Sequence, residues 1–154
     1  MDKTVVLTVA DVPKTHKNDH KDYEYFCQKL VGRGVGGCTV MQYEVPPGKA
    51  PFPYHYHAKN EESFYILSGC GLLKTVDGER EVQAGDFLYF PAGPGGAHKL
   101  TNTSDKDLLV YIDFDTEHDL EVTVYPDSDK VAIWGQGFNT MYPQNQAVDY
   151  YEGE

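Results

Sequence analysis

Residues 53–62 read PYHYHAKNEE: His55 and His57 stand two positions apart, and Glu61 and Glu62 follow closely. In a strand, alternate side chains share a face. The two imidazoles therefore point one way, and Tyr54 and Tyr56 the other. A strand starting at Glu62 folds that carboxylate beside them and keeps Phe64 and Ile66 on the same inward face. A third imidazole, His98, follows the loop Gly93-Pro-Gly-Gly96. Three imidazoles and a carboxylate form a mixed nitrogen and oxygen donor set for a divalent transition metal. Left buried and unpaired, such groups are costly, and one cation satisfies them together. The competing reading places His55 and His57 on the surface beside a solvated Glu61-Glu62 loop. The pair alone does not exclude it, so the flanking sequence decides.

Short β-rich runs fill the rest of the chain, and helical periodicity is hard to find. The runs are Thr4–Val9, Cys38–Val45, Ser63–Leu67, Leu72–Val76, Arg80–Gln83, Phe87–Phe90 and Leu108–Phe114, separated by stretches that contain Gly or Pro. Asp77-Gly78 between two of them signals a hairpin whose turn positions both require positive φ. Short strands at even spacing predict a sandwich or barrel. One domain is expected over residues 1–154, with a barrel core at about 38–114. Residues 115–154 are less clearly patterned and are read as an extension packing on the barrel or on a second subunit. Trp134, Tyr142, Tyr150 and Tyr151 would cap the barrel or lie in that seam. His16 and His20 fall in a polar, charged stretch read as a solvated loop, and His118 in an acidic run is expected to be exposed.

The chain has 154 residues, is 40% apolar and 13% aromatic, and carries a formal net charge of -11. That is a globular composition with room for a core. The charge argues against nucleic acid and anionic membranes as partners. The crowding of acids between Asp113 and Asp129 is read as solubility. No apolar run approaches the roughly 18–20 residues of a membrane span, and the N-terminal stretch lacks the features of a signal peptide. The expected location is cytoplasmic. Cys27, Cys38 and Cys70 are odd in number and far apart, and read as small buried hydrophobes. The sequon at Asn102 is read as accidental. No P-loop, GxSxG or HExxH is present, and no GxGxxG is read as following a strand, which disfavours nucleotide-binding enzymes, serine hydrolases and zincins.

The stretches GKAPFPYHYHAKNEESFYILSG and GDFLYFPAGPGGAHKLTN resemble the two motifs of the cupin superfamily. Gly48, His55, His57, Glu62 and Gly69 match the first motif, and Gly85, Pro91, Gly93, His98 and Asn102 match the second. The segment from Gly48 to His55 is one residue longer than the family pattern, and that from Gly93 to His98 two longer. Both additions fall in loops, where length costs little. The likeness covers about residues 40–114. It implies an all-β double-stranded β-helix, or jelly-roll barrel, and metal ligands at His55, His57, Glu62 and His98. Phe64, Ile66 and Leu100 are expected to line the pocket. FPAG, HKLTNTSD and the later YPDSD are similar to small single-domain bacterial cupins of unsettled activity.

Two functions fit. A metal-dependent enzyme would hold one divalent ion (Fe, Mn, Ni, Co or Zn) and act on a small oxygen-rich molecule, by oxygenase, isomerase or decarboxylase chemistry. A non-catalytic binding or sensing module would use the same metal-lined pocket. A purely structural tetrahedral zinc is the third, plainer option. Sheet edges that need cover give a physical motive for a homodimer, and the expected small partner is the substrate or ligand.

Overall fold

The fold is described from a computed structural model covering residues 4–135 and 137–154. It contains strands β1 (Lys14–His20), β2 (Tyr23–Val31), β3 (Cys38–Val45), β4 (Tyr56–His57), β5 (Glu62–Ser68), β6 (Cys70–Thr75), β7 (Gly78–Gln83), β8 (Phe87–Phe90), β9 (His98–Asn102), β10 (Leu109–Thr116), β11 (Leu120–Tyr125), β12 (Lys130–Gly135) and β13 (Phe138–Pro143). Helical structure among the described residues is confined to short 3-10 turns. None of it is long and apolar enough to cross a membrane.

One wall is a six-stranded sheet in the order β1-β2-β3-β10-β5-β8. Facing it are the sheets β7-β6-β9 and β13-β12-β11-β4. A pair of backbone hydrogen bonds between His55 and His98, 3.1 and 2.9 Å, joins these two sheets. The result is an all-β double-stranded β-helix. Val45, Phe64, Ile66, Leu73, Phe90, Leu100, Leu109 and Tyr111 fill the space between the walls. Each large apolar side chain buried there contributes on the order of 1.5–3 kcal/mol.

Strand alternation sets the inner face. Along β5, Glu62, Phe64 and Ile66 are buried while Tyr65 and Leu67 are exposed. β10 lies between β3 and β5, and its register sets Asp113 opposite Phe64 and Asp115 opposite Glu62. Here the pattern inverts: Asp113 is buried while Phe114 is exposed. Two acids thus enter the barrel, and apolar surface is left outside.

Several expectations need correction. Thr4–Val9 forms no strand: residues 4–8 carry no regular secondary structure, and a 3-10 turn occupies Val9–Asp11. The Gln28 side chain clips this segment by donating to the carbonyls of Val9 (2.7 Å) and Val12 (2.8 Å). His16 and His20 lie in β1 rather than in a loop. Every residue of that edge strand is exposed, which is why its sequence carries no apolar signature. Charged residues on an edge also discourage further pairing. At the β6–β7 hairpin, Thr75 pairs with Gly78, so the loop residues are Val76 and Asp77. Gly78 alone takes positive φ there, at 114°. Only Cys27 is buried, whereas Cys38 and Cys70 are exposed and free. Asn102 is a structural anchor: its side-chain amide donates to the carbonyls of Val45 and Asp107.

Gly69 marks a tight approach between strands. Its φ is +84°, and an added Cβ would lie 2.4 Å from the Leu108 carbonyl oxygen. Gly85 also has positive φ, +93°, but with open space around it. Gly69→Ala is therefore expected to cost about 2–3 kcal/mol, and Gly85→Ala about 1 kcal/mol. Thermal unfolding followed by circular dichroism should show a drop of roughly 5–10 °C for the first variant. Equal drops for both would show that the Leu108 contact adds no constraint.

Candidate metal centre

Four side chains from separate stretches converge inside the barrel. His57 ends β4, His55 precedes it, Glu62 opens β5 and His98 opens β9. Glu62 Oε2 lies 3.1 Å from His98 Nε2, 3.5 Å from His57 Nε2 and 3.9 Å from His55 Nε2. The donor atoms of His55, Glu62 and His98 are close enough to share an ion, and so are those of His57, Glu62 and Asp115.

Hydrogen bonding on the far side of each ring fixes what faces Glu62. His55 Nδ1 lies 2.8 Å from the Pro53 carbonyl, and His98 Nδ1 lies 2.9 Å from the Gly96 carbonyl. A carbonyl only accepts, so Nδ1 carries the proton in each ring. In the neutral ring, Nε2 is then a bare lone pair aimed at a carboxylate oxygen. Both His98 Nε2 and Glu62 Oε2 are buried and lack a hydrogen-bond partner. Either a proton or a cation must lie between them. The donor set fits a divalent transition metal, with the rings oriented by outer hydrogen bonds.

His57 is oriented differently. Its Nδ1 faces Glu121 Oε1 at 3.7 Å and Thr123 Oγ1 at 3.4 Å. Glu121 is held in turn by backbone N–H groups of Lys59 and Asn60, which donate to it at 2.9–3.2 Å. Burial opposes charge on His57, but the neighbouring carboxylates of Glu121 and Glu62 outweigh it and raise the ring to about 10. Burial dominates at His55 and lowers it to about 4. Burial would also raise Glu62, yet the facing imidazoles hold it well below the usual carboxylate range. Asp115 is pushed up to about 7 by burial and by the negative charge of Glu62.

A cavity of about 480 Å³ opens on this cluster. Arg33, Tyr43, Phe52, Asp113, Asp115, Thr123, Tyr125, Trp134 and Asn139 line it along with His55, His57 and Glu62. Phe64, Ile66 and Leu100 do not: all three are packed in the core. Phe64 and Ile66 do face inward, as strand parity predicts, but the barrel is filled at their level. Phe64 and Leu100 border only a crevice of about 10 Å³. Phe64 and Phe90 pack the His98 ring, with centroids 5.5 and 3.6 Å away.

The polar residues missed from sequence include Asp113, Asp115, Glu121 and Thr123, and Arg33, Phe52 and Tyr125 on the cavity wall were not singled out either. The acidic crowd around them masked a regular alternation, in which Glu121 and Thr123 are buried on alternate positions of β11. That period of two was the available signal. Trp134 lines the cavity and donates to Thr123 Oγ1 at 2.9 Å. Tyr142, Tyr150 and Tyr151 are exposed rather than capping the barrel. His118 is exposed, as expected, and its Nδ1 meets Asn60 Oδ1 at 2.9 Å.

Residues 41–115 match the family model of the cupin domain. A crystal structure from Acidithiobacillus ferrooxidans, provisionally described as a sugar phosphate isomerase, superposes with a TM-score of 0.82 at 25% identity, covering 96% of this chain and 97% of that one. A sugar phosphate isomerase of the cupin superfamily from Silicibacter pomeroyi superposes with a TM-score of 0.81 at 18% identity, over 96% and 98% of the two chains. An uncharacterized protein of Methanocaldococcus jannaschii is 42% identical over 57 residues, which is 36% of this chain and 43% of that relative. The match thus spans less than half of that relative's length.

The charge network predicts how the metal-free protein responds to pH. His57 is raised from 6.5 to about 10 on folding. Its stabilisation is complete below pH 6.5 and is lost as pH climbs towards 10. Asp115, at about 7, has finished most of its own loss by pH 7.5. In chelator, urea unfolding should give a stability that falls between pH 7.5 and 9, by at most about 1.4 kcal/mol per pH unit from this residue. His57→Gln should reduce that slope, leaving the part contributed by Asp113, whose carboxyl is raised by burial well above the usual carboxylate range. An equal slope in the variant would show that His57 is not the titrating group.

Proposed function

Residues 41–115 are a cupin domain, and from that premise we propose a metal-dependent enzyme that isomerises a small sugar-like molecule. His55, His57, Glu62 and His98 would hold one divalent transition metal ion. The supporting observation is the unpartnered, buried pair of Glu62 Oε2 and His98 Nε2, with both outer imidazole nitrogens of His55 and His98 already committed to carbonyls. When bound, the ion supplies Lewis-acid polarisation to adjacent substrate oxygens. A structural zinc would need no cavity beside it, whereas this cluster opens on one of about 480 Å³.

Isomerisation is favoured over oxygenation and decarboxylation because a proton carrier stands beside the cluster. Asp115 faces the cavity directly opposite Glu62 in the sheet register. Moving a carbonyl to the neighbouring carbon requires taking a proton from one carbon and returning it to the next, and a carboxylate suits that exchange. The names of the two structural neighbours agree with this chemistry. Aromatic walls at Phe52, Tyr125 and Trp134 would exclude water and hold the carbon skeleton. A binding module would require no such group.

Glu62→Gln and His98→Ala should each strip metal from the purified protein, read by mass spectrometry. Glu121→Gln should weaken metal binding by about 10- to 100-fold, because it loosens the His57 ring. Asp115→Asn should keep the metal but lose about 10²-fold or more in deuterium exchange at the carbon next to an aldose carbonyl. Full metal in Glu62→Gln would remove the ligand assignment, and unchanged exchange in Asp115→Asn would remove the proton carrier.

We further propose that two copies of the chain cover the outer face of the six-stranded sheet. Tyr65, Phe87, Tyr89 and Phe114 are 43%, 63%, 52% and 44% exposed there, across three neighbouring strands that end at edge strand β8. Light scattering should give a dimer mass for the wild type and a monomer mass for Phe87→Glu. A wild-type monomer would overturn this pairing.

A further inference from the structure

We propose that Arg33 anchors an oxyanion, a phosphate or a carboxylate, at the mouth of the metal cavity. The substrate would then present chelating oxygens at one end and a negative charge at the other. This rests on the metal-dependent reading and supplies the far end of its substrate.

The charges around the cavity point to it. Glu62, Asp113 and Asp115 contribute acids to the lining, and among the described residues Arg33 is the one permanent cation there. The chain as a whole carries a net charge of -11. An anionic ligand approaching it meets repulsion unless a local positive group offsets the field. Arg33 is exposed, and no carboxylate of the described residues pairs with it within 4.0 Å. Its donors are therefore available to a ligand. A guanidinium presents parallel N–H groups in a planar fork that matches carboxylate and phosphate oxygens.

Arg33 is also held in place by others and is not needed to hold the loop. It sits between β2 and β3 in the run Gly32-Arg-Gly-Val-Gly-Gly37, a GxGxxG spacing that, against the sequence expectation, does follow a strand but leads into β3 and not into the helix a dinucleotide fingerprint needs. Both carboxylate oxygens of Glu117 accept the Gly34 N–H, at 3.0 and 2.9 Å. The Glu117 N–H donates to the Gly37 carbonyl at 2.9 Å. Gly34 has φ of +76°, a conformation the tight loop requires of glycine. Glu117 lies two residues beyond Asp115, so this clip fixes the loop to the strand end that carries the proposed proton carrier. The Arg33 charge is near enough to favour ionisation of Asp115, against burial and Glu62. Arg33 thus overlooks the reacting end without being part of it.

The test uses the full chain loaded with Co²⁺ and isothermal titration calorimetry with ribose 5-phosphate, ribose, glucuronate and inorganic phosphate. The wild type should bind at least one of the two anionic sugars about tenfold or more tightly than ribose. Whether ribose 5-phosphate or glucuronate gains more identifies the oxyanion as phosphate or carboxylate. Arg33→Met should abolish the preference while Co²⁺ content stays at the wild-type level. A preference that survives in Arg33→Met overturns the proposal, and so does a wild type with no preference for either anion. If the wild type fails to hold Co²⁺, the metal reading falls separately. Inorganic phosphate then decides for Arg33: binding lost in Arg33→Met upholds it, and equal or absent binding in both proteins overturns it.

Discussion

Everything in this site follows from a conflict of lone pairs. Glu62 enters a dry interior as the first residue of β5, 4% exposed, and faces imidazole nitrogens that backbone carbonyls have left without protons. An apolar core does not tolerate that arrangement unless something positive stands in the middle. Protons can do it, as the raised His57 shows, and so can a metal ion. The two compete for the same atoms, because a ring must be neutral at Nε2 to bind a metal. The fold supplies the convergence: the His55–His98 backbone bridge ties two sheets together at the point where their histidines meet.

The central barrel was legible in the sequence because its signals are local. Cys38–Val45 and Phe87–Phe90 end where Pro and Gly end them. The parity of His55, His57, Glu62, Phe64 and Ile66 needed only a period of two. The fold-level likeness rested on glycines and prolines at fixed offsets, and Gly69 shows why such a position is constrained: strand β10 passes too close for a side chain. What could not be read was depth. Phe64, Ile66 and Leu100 point inward, but whether an inward residue meets a cavity or a neighbour depends on the opposite wall.

The rest was hidden by inverted patterning. In β10 and β11 the inner face carries Asp113, Asp115, Glu121 and Thr123; Ile112 and Phe114 are less buried than Asp113, and Val122 and Val124 less than Glu121 and Thr123. Binary patterning assumes the reverse, so acids that belong inside read as a solvated surface. Violations of this kind collect at functional sites, because a site needs polar groups where a core would want none. The edge strand β1 failed for the opposite reason: wholly exposed, it has no inner face to betray it.

The same inversion explains why the C-terminal strands matter to the chemistry. The four histidine and glutamate groups define a point, but a point does not select a substrate. β11 and β12 turn it into one wall of a pocket, and they also control the ring that touches it. Trp134 donates to Thr123, Thr123 leans on His57 Nδ1, and Glu121 faces the same nitrogen while gripping the backbone of Lys59 and Asn60. Trp134, on the cavity wall, is thus joined to the His57 ring of the candidate metal centre through two contacts. Residues 120–135 are thus coupled to the centre through these hydrogen bonds, although none of them is among its convergent imidazole and carboxylate donors.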